Sequence, residues 1–298
     1  MKNTIHLISG ATAVGKTEFS LRYAKENNAE IISCDASLVY EGMNIGTAKP
    51  TKEELNCIRH YCIDLRPVDK PFDVRLYNAY AKNAVKTILN KGKSIVVAGG
   101  SGFYLKSFFE PILDTVNVTS SIRNKSERLF LKGGLNGLIE ALKIASPEGL
   151  GNLDILNPRR VQRALERCWA SGKSLPELQS AFLEKPKPYE HLEKKFIYLE
   201  RDTDELKKRI ELRAEKMLAN GLIDEVKTLL SKGIEKNPNA ANAIGYRETI
   251  AFLKGSLVGH ALLPEIIKNT KRLVRKQKTW FRTQLPQADQ IINMTNIT

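Results

Sequence analysis

Residues 10–17 carry the pattern of a phosphate-binding loop. They match G-x-x-x-x-G-K-S/T between a predicted strand and a predicted helix: Gly10, Ala11, Thr12, Ala13, Val14, Gly15, Lys16 and Thr17. Glycines let the backbone curl so that successive N–H groups point at one anion, and the helix N-terminus adds its dipole. Lys16 supplies a positive charge, and Thr17 offers a hydroxyl to Mg²⁺. The loop predicts a bound di- or triphosphate; ATP is the usual ligand, and a diphosphate ester fits the same cradle.

A carboxylate follows the second predicted strand. Asp35 comes directly after the short apolar run of residues 30–33. Because the carboxyl ends of parallel strands open onto the ligand crevice, Asp35 should lie beside the phosphate loop. From the residues alone, its role stays open between acid–base chemistry, a helix N-cap and an outer-shell ligand of Mg²⁺.

The elements that position these groups alternate between strand and helix. Short apolar strands are predicted at residues 5–8, 30–33, 94–98 and 196–199, and a helix is predicted at 18–25. A second helix is indicated by one apolar face: Val74, Tyr77, Ala81, Ala84, Val85 and Ile88. Nearly continuous apolar strands separated by helices are typical of a parallel sheet covered on both faces. The prediction is an α/β fold.

A stretch of different character interrupts this alternation. Residues 111–188 are helical in pattern, with loops rich in Ser, Gly and Asn, and we interpret them as a mainly helical insertion between sheet strands. The core would then consist of residues 1–110 and 189–298, the second part ending in helices. Residues 266–288 contain no acidic residue but many basic ones, and Leu273 and Trp280 fit a buried seam of this predicted helix.

Composition limits the classes of function. Among 298 residues, 47 Lys and Arg against 33 Asp and Glu give a net charge of +14, which favours a polyanionic partner such as nucleic acid. An ordinary basic enzyme is the alternative. No apolar run approaches the roughly 18 residues of a membrane span, and the strand-like start leaves no room for a signal peptide. Four scattered cysteines without a C-x-x-C pair indicate a reduced, cytoplasmic setting.

Seven ordered segments carry a resemblance to one family. They are residues 10–17; 32–40 with 42–50; 98–105; 157–166; 209–217 with 221–222; 244–248; and 275–277 with 279–282. In these segments the chain resembles the tRNA dimethylallyltransferases, also called tRNA isopentenyltransferases. A phosphate loop alone occurs in many families, whereas this ordered set is specific.

The resemblance implies a fold and a reaction. The fold would be a P-loop NTPase-like parallel sheet flanked by helices, with the insertion gripping the anticodon stem-loop of tRNA. The family has lost ATP hydrolysis and, with Mg²⁺, transfers a dimethylallyl group from dimethylallyl diphosphate. The acceptor is N6 of the adenosine 3′ of the anticodon (adenosine-37), and diphosphate leaves. We expect a monomer with no membrane partner.

The resemblance also implies roles for particular residues. Asp35 would meet the adenine N6, with Ala36, Ser37 and Leu38 lining the base channel. Thr12 and Arg213 would hold the diphosphate, and Asp35, Lys16, Thr17 and Arg213 form the expected catalytic set. The expected tRNA contacts are Ser101, Arg123, Arg159, Arg160, Val161, Gln162 and Arg163. Many members read Asp-Ser-x-Gln where this chain reads Asp35-Ala36-Ser37-Leu38, so this base pocket lacks a hydroxyl and an amide.

Helical spacing gives Arg209 a structural alternative, because Glu205 lies one turn before it and predicts an ion pair.

Three other functions remain open. A small-molecule P-loop kinase would leave the basic C-terminal helix unexplained, and an isopentenyltransferase acting on free adenine nucleotides would not need the arginines of the insertion. A non-catalytic RNA-binding relative would not need Lys16, Thr17 and Asp35.

Overall fold

The chain divides into two compact units. A computed structural model describes residues 4–112 and 116–295. One unit comprises the described residues up to Glu110 together with those from Tyr189 onward, and the other runs from Pro111 to Pro188. The second unit has the bounds of the predicted insertion. Residues 1–3, 113–115 and 296–298 of the predicted regions lie outside the described residues.

A six-stranded sheet organises the first unit. Its strands are β1 (Thr4–Gly10), β2 (Ala29–Ser33), β3 (His60–Tyr61), β4 (Ser94–Ala98), β5 (Glu193–Glu200) and β6 (Gln290–Asn293). Their order is β3-β2-β4-β1-β5-β6, and every neighbouring pair is parallel. The predicted α/β fold and its four central strands are confirmed, while the two short edge strands were not predicted.

The described residues also form twelve α-helices. They are α1 (Lys16–Glu26), α2 (Lys52–Cys57), α3 (Val74–Asn90), α4 (Gly102–Lys106), α5 (Ser120–Ala145), α6 (Pro158–Ser171), α7 (Leu175–Leu183), α8 (Thr203–Ala219), α9 (Leu222–Ser231), α10 (Pro238–Ala241), α11 (Tyr246–Leu253) and α12 (Gly259–Gln284). A single 3₁₀ turn spans Ile234–Lys236. The predicted helices at residues 18–25 and 74–88 are confirmed as α1 and α3.

Both faces of the sheet are buried. Ile5 and Leu7 of β1 belong to the larger core, which is shared with α3, α4 and the C-terminal helices. Ile8, the residue after Leu7, points to the opposite face and packs with Phe19 and Ala24 of α1. Alternation along the strand therefore puts α1, and the phosphate loop before it, on one face.

The second unit has a core of its own. Leu138 and Leu142 of α5 pack against Val161 and Leu165 of α6 and Leu178 of α7. Helix α6 begins as its sequence predicts: the Asn157 side chain accepts a hydrogen bond from the Arg160 N–H at 3.3 Å, and Pro158 occupies the first turn. Helix α5 is interrupted at Gly134, where φ is 57°. No helix in residues 4–112 or 116–295 is both long and apolar enough to cross a membrane.

Candidate active site

The phosphate loop connects β1 to α1. Gly10 ends the strand, and a Cβ there would lie 2.6 Å from the carbonyl oxygen of Leu199 on the neighbouring strand, so only glycine fits. Gly15 adopts a φ of 109° immediately before α1 begins. The loop therefore has the curled backbone and the helix N-terminus that bind an anion.

Lys16 lies folded over its own loop. Its ammonium donates to the carbonyl oxygens of Gly10 at 2.9 Å and Ala11 at 2.8 Å. Burial lowers the pKa of Lys16 from 10.5 to about 8; the negative charge of Asp35 opposes this shift and the positive charge of Arg213 adds to it. Lys16, Asp35 and Arg213 thus form one interacting group of charges.

Two further arginines hold the rest of the loop. Arg209 donates from Nε to the Ala13 carbonyl at 3.0 Å, and the buried Arg201 donates from Nε to the Val14 carbonyl at 3.1 Å. Glu205 pairs with Arg201. The predicted Glu205–Arg209 pair is wrong, because the guanidinium of Arg209 reaches the loop backbone. The structural role predicted for Arg209 holds, with a different partner.

Asp35 lies at the carboxyl end of β2, as predicted. Its Oδ1 accepts a hydrogen bond from the Ser37 N–H at 2.8 Å. The backbone N–H of Ala36, between these two residues, donates to Ser101 Oγ at 2.8 Å. Gly99 permits this approach of the two strand ends, since a Cβ there would lie 1.9 Å from the Cys34 carbonyl oxygen. Ser101 therefore holds the segment that carries Asp35.

Two cavities open at Asp35, and every described residue in their walls belongs to the first unit. The larger, of about 1010 Å³, contains Thr12, Ala13, Gly15, Lys16 and Thr17 in its wall, and we call it the phosphate-loop cavity. The smaller, of about 490 Å³, has four aromatic side chains in its wall, and we call it the aromatic cavity: Phe103, Tyr246, Trp280 and Phe281. Six residues line both: Thr12, Asp35, Thr47, Gly100, Arg213 and Met217. The cavities thus meet at Asp35, at Thr12 of the phosphate loop and at Arg213.

Arg213 stands at this junction. It extends from α8 and donates from Nη2 to the carbonyl oxygen of Thr47 at 3.1 Å. Burial lowers the pKa of Arg213, and the neighbouring Asp35 opposes the shift. A cation in this setting binds an anionic group strongly because little water screens it.

Some residues predicted at the site do not line it. Gly10, Ala11 and Val14 of the phosphate loop are in neither cavity wall; their carbonyl oxygens accept hydrogen bonds from Lys16 and Arg201. Ser37 lines the aromatic cavity and Leu38 the phosphate-loop cavity. Ala36 is exposed and lines neither cavity, and its place in the base channel stays a prediction.

The predicted RNA contacts in the second unit divide by exposure. Arg123, Arg159, Arg160 and Arg163 are exposed. Val161, also predicted to contact tRNA, is 0% exposed and packs its side chain in the core of this unit, so that side chain has a structural role. The amide of Gln162 donates to Ser126 Oγ at 2.9 Å, which gives this half-buried residue a structural bond.

Two of the four arginines have acidic partners. Arg163 lies 2.5 Å from the buried carboxylate of Glu166, and Arg160 lies 3.5 Å from Asp154. Glu166 also accepts from the Ser126 hydroxyl at 2.7 Å. Arg163 therefore neutralises a buried charge besides any contact with RNA, whereas Arg159 and Arg160 extend from the exposed first turn of α6.

Two positioning side chains were not predicted. Gln277 of α12 bonds to Thr12 and Gly100, which both lie where the two cavities meet. Its signal in the sequence is a helical stripe along α12 that lines the aromatic cavity: Ile266, Thr270, Leu273, Gln277 and Trp280. Leu273 and Trp280, predicted to lie in a buried seam, are half-buried in the wall of this cavity, whereas Val274 and Phe281, the residues that follow them, are buried.

Glu225 of α9 is the second. Its carboxylate accepts from the backbone N–H groups of Asn44 at 3.1 Å, Ile45 at 2.8 Å and Gly46 at 3.3 Å, and from the Tyr246 hydroxyl at 2.7 Å. The tyrosine ring covers Gly46. One carboxylate therefore fixes the turn that leads to Thr47 and closes one side of both cavities.

Comparison with known proteins places this architecture in a family. A family model described as IPP transferase matches residues 38–284. The chain belongs to the IPP transferase family. A tRNA dimethylallyltransferase of Opitutus terrae is 49% identical over 96% of this chain and 92% of its own length. Another, of Syntrophomonas wolfei, is 37% identical over 97% and 90%. The resemblance inferred from the motifs is confirmed.

Solved structures of similar proteins agree with the fold. The full-length tRNA isopentenylpyrophosphate transferase of Bacillus halodurans superposes with a TM-score of 0.71 at 31% identity, covering 100% of this chain and 92% of that one. A eukaryotic dimethylallyltransferase acting on tRNA gives a TM-score of 0.85 at 22% identity over 99% and 75%. The P-loop-like parallel sheet is therefore the fold of this family.

Proposed function

We propose that this chain transfers a dimethylallyl group from dimethylallyl diphosphate to N6 of the adenosine 3′ of the anticodon in tRNA, releasing diphosphate. The observation that carries the proposal is the position of Asp35 where the two cavities meet. One cavity has the chemistry of a diphosphate site and the other that of a base site. An allyl donor and an adenine could therefore meet beside one carboxylate.

The phosphate-loop cavity suits the donor. Its wall brings the loop backbone, the ammonium of Lys16 and the guanidinium of Arg213 to one side of Asp35. An allylic diphosphate ionises readily because positive charge spreads over the allyl group, so the main requirement is to stabilise the departing diphosphate. Fixed N–H groups and cations do this in the transition state.

Mg²⁺ is part of the proposal. Among residues 4–112 and 116–295, no three His, Cys, Asp or Glu side chains are grouped to hold a metal ion. Thr17 is exposed in the wall of the phosphate-loop cavity and offers one hydroxyl oxygen. Mg²⁺ typically has few protein ligands, because it keeps several waters and binds the phosphate oxygens of the substrate. These residues fit the ion, which would neutralise charge on the diphosphate.

The aromatic cavity suits the acceptor. Phe103 and Trp280 offer aromatic surfaces to a purine, and Lys276 contributes a positive charge to the same wall. Single-stranded nucleic acids bind by stacking bases on aromatic side chains beside basic groups. The adenine must leave the stack of the anticodon loop to enter, at a cost of a few kcal/mol.

The transfer step then involves three changes of bonding. N6 of adenine forms a bond to the terminal allyl carbon, and the bond from that carbon to the diphosphate oxygen breaks. The N6 proton moves to the carboxylate of Asp35. Lys16 and Arg213 stabilise the diphosphate as it leaves. Because one chain lines both cavities, we propose that it acts as a monomer.

The pH profile should show the state of Lys16. Since its pKa is lowered to about 8, kcat/KM for the donor should fall roughly tenfold per pH unit above about pH 8, as the ammonium loses its proton. Lys16→Arg carries a cation that stays charged throughout this range, so its alkaline fall should disappear. Steady-state rates with bulk tRNA between pH 6 and 10 test this. A wild-type profile that stays flat to pH 10 would contradict the assignment.

The second unit is proposed to bind the anticodon stem-loop through its exposed arginines. Arg159→Ala with Arg160→Ala should weaken tRNA binding and reduce the slope of log affinity against log salt by about one for each phosphate that is no longer neutralised. Changing Arg160 and Arg163 together should do the same, but Arg163→Ala also leaves buried Glu166 without its cation. Filter binding across a salt series measures the slope.

The control for this prediction removes two positive charges elsewhere. Arg75 and Lys227 are exposed, pair with Asp73 and Asp224, and line neither cavity. Replacing both with Ala should leave the salt slope unchanged. Binding of inorganic diphosphate should stay at the wild-type level in every arginine variant. A loss of diphosphate affinity with intact tRNA affinity would refute this division of roles.

Incubation with labelled dimethylallyl diphosphate, Mg²⁺ and bulk tRNA, followed by nucleoside analysis, tests the proposed function. We expect label on N6-modified adenosine from the anticodon loop. Parallel incubations with free adenine nucleotides, and with labelled ATP and small acceptors, should give no product. Label on free nucleotides alone, or transfer of the ATP γ-phosphate, would replace the proposal with one of the alternatives.

A further inference from the structure

We propose that Gln277 is a positioning residue, whose side-chain amide holds the phosphate loop and the segment after β4 in register at the cavity junction. Its Oε1 accepts from the Thr12 N–H at 2.9 Å and from the Thr12 hydroxyl at 3.0 Å. Its Nε2 donates to the Gly100 carbonyl at 3.0 Å. One side chain from α12 thus joins two loops that are 88 residues apart along the chain.

The chemistry of these partners requires an amide. A backbone N–H can only donate and a backbone carbonyl can only accept, so the oxygen must face Thr12 and the nitrogen must face Gly100. A carboxylate of equal size would set an oxygen against the Gly100 carbonyl. An apolar side chain of equal length would satisfy neither loop.

These contacts connect the phosphate loop to Asp35. Gly100 precedes Ser101, whose hydroxyl oxygen holds the Ala36 N–H next to Asp35. Movement of Gly100 would therefore move Asp35 as well. On the other side, Gln277 occupies both the N–H and the hydroxyl of Thr12, a residue that lines both cavities. The amide therefore sets where Thr12 lies relative to Asp35.

Helix α12 gives Gln277 a fixed base. Val274 and Phe281, one turn to each side, are buried. Trp280 packs against Gly102, where a Cβ would lie 2.2 Å from the indole ring. Gly100 leaves room for the amide, since a Cβ there would lie 3.0 Å from Nε2. A side chain that is anchored in this way can align two loops.

This inference rests on the proposed function, and the test separates the two. Gln277→Met keeps the length and removes the amide, and Gln277→Glu keeps only the acceptor for Thr12. Both should lower the single-turnover rate by about 10- to 100-fold, since small misplacements of reacting groups have effects of this size. For Gln277→Met, affinities for tRNA and inorganic diphosphate should stay within about threefold of wild type, since the misplacement acts on the transition state.

Hydrogen exchange gives a readout that needs no transfer. Amides in residues 10–17 and 99–101 should exchange faster in Gln277→Met than in wild type. The control is Gln284→Met on the same helix, because Gln284 is exposed and bonds only to Lys106 among the contacts described for its side chain. Its exchange and rate should match wild type.

The outcomes differ for the two proposals. Wild-type exchange in both loops of Gln277→Met, or faster exchange with an unchanged single-turnover rate, overturns the positioning role. If the wild-type chain transfers no dimethylallyl group to tRNA, the proposed function fails, and the exchange data alone decide whether the amide holds the two loops.

Discussion

Lys16→Ala should abolish detectable transfer and remove the competition between inorganic diphosphate and the prenyl donor. The structure describes all of residues 10–17. Among them, Lys16 is the only residue whose side chain carries a full positive charge, and it lines the phosphate-loop cavity. Loss of one fixed donor to a developing anion lowers rates by about 10²–10³-fold, and loss of a charged one at a leaving diphosphate should exceed this. Single-turnover transfer and isothermal titration with diphosphate measure the two effects.

Lys16 also holds the carbonyl oxygens of Gly10 and Ala11, so the effect of charge must be separated from that of loop structure. Lys16→Gln keeps hydrogen-bond donors without the charge and should remain strongly impaired. Lys25→Ala, in the exposed last turn of the same helix, should behave as wild type. Rapid ATP hydrolysis that dimethylallyl diphosphate does not inhibit would exclude the transferase and favour a kinase.

The sequence was sufficient to predict the centre of this fold and the positions of the phosphate loop and of Asp35 within it. Four buried strands, the loop after β1 and the acid after β2 are local signals, and parallel topology brings them to one edge of the sheet. The edge strands were beyond prediction, since β3 has two residues and β6 is largely exposed. Such strands form because a neighbouring strand pairs with them.

Other features depend on contacts between distant segments. Thr12 and Gln277 are 265 residues apart, and Glu225 lies about 180 residues from the turn that it holds. No periodicity predicts such pairs. In α12, apolar residues occur on two adjacent faces, and only the packed structure shows that Val274 is buried while Leu273 lines a cavity. Likewise, Glu205 lies one turn from both Arg201 and Arg209. It pairs with Arg201, because Arg209 bonds to the backbone of the phosphate loop.

Asp35→Asn should fold, bind both substrates and scarcely transfer. The Asn oxygen can still accept the Ser37 N–H that Asp35 Oδ1 accepts at 2.8 Å, so the turn and the thermal midpoint should be preserved. A residue that only capped this turn would tolerate the change, whereas Asp35→Ala would lower stability by about 0.5–2 kcal/mol. A carboxylate that takes the N6 proton should instead lose roughly 10²–10⁴-fold in single-turnover rate, with affinities near wild type.

The charge of Asp35 has a second effect that sets the conditions of this test. Asp35 opposes the lowering of the pKa of Lys16, so Asp35→Asn should lower that pKa below about 8 and shift the alkaline fall in activity to lower pH. Rates are therefore compared at pH 6.5 as well as at neutral pH, so that loss of the Lys16 proton cannot imitate loss of the base. The matched control is Asp73→Asn: Asp73 caps α3 through the Arg75 and Leu76 N–H groups and lines neither cavity. Its transfer rate should equal that of wild type. Near wild-type single-turnover transfer by Asp35→Asn at both pH values would remove Asp35 from the chemistry and leave it as the cap of its own turn.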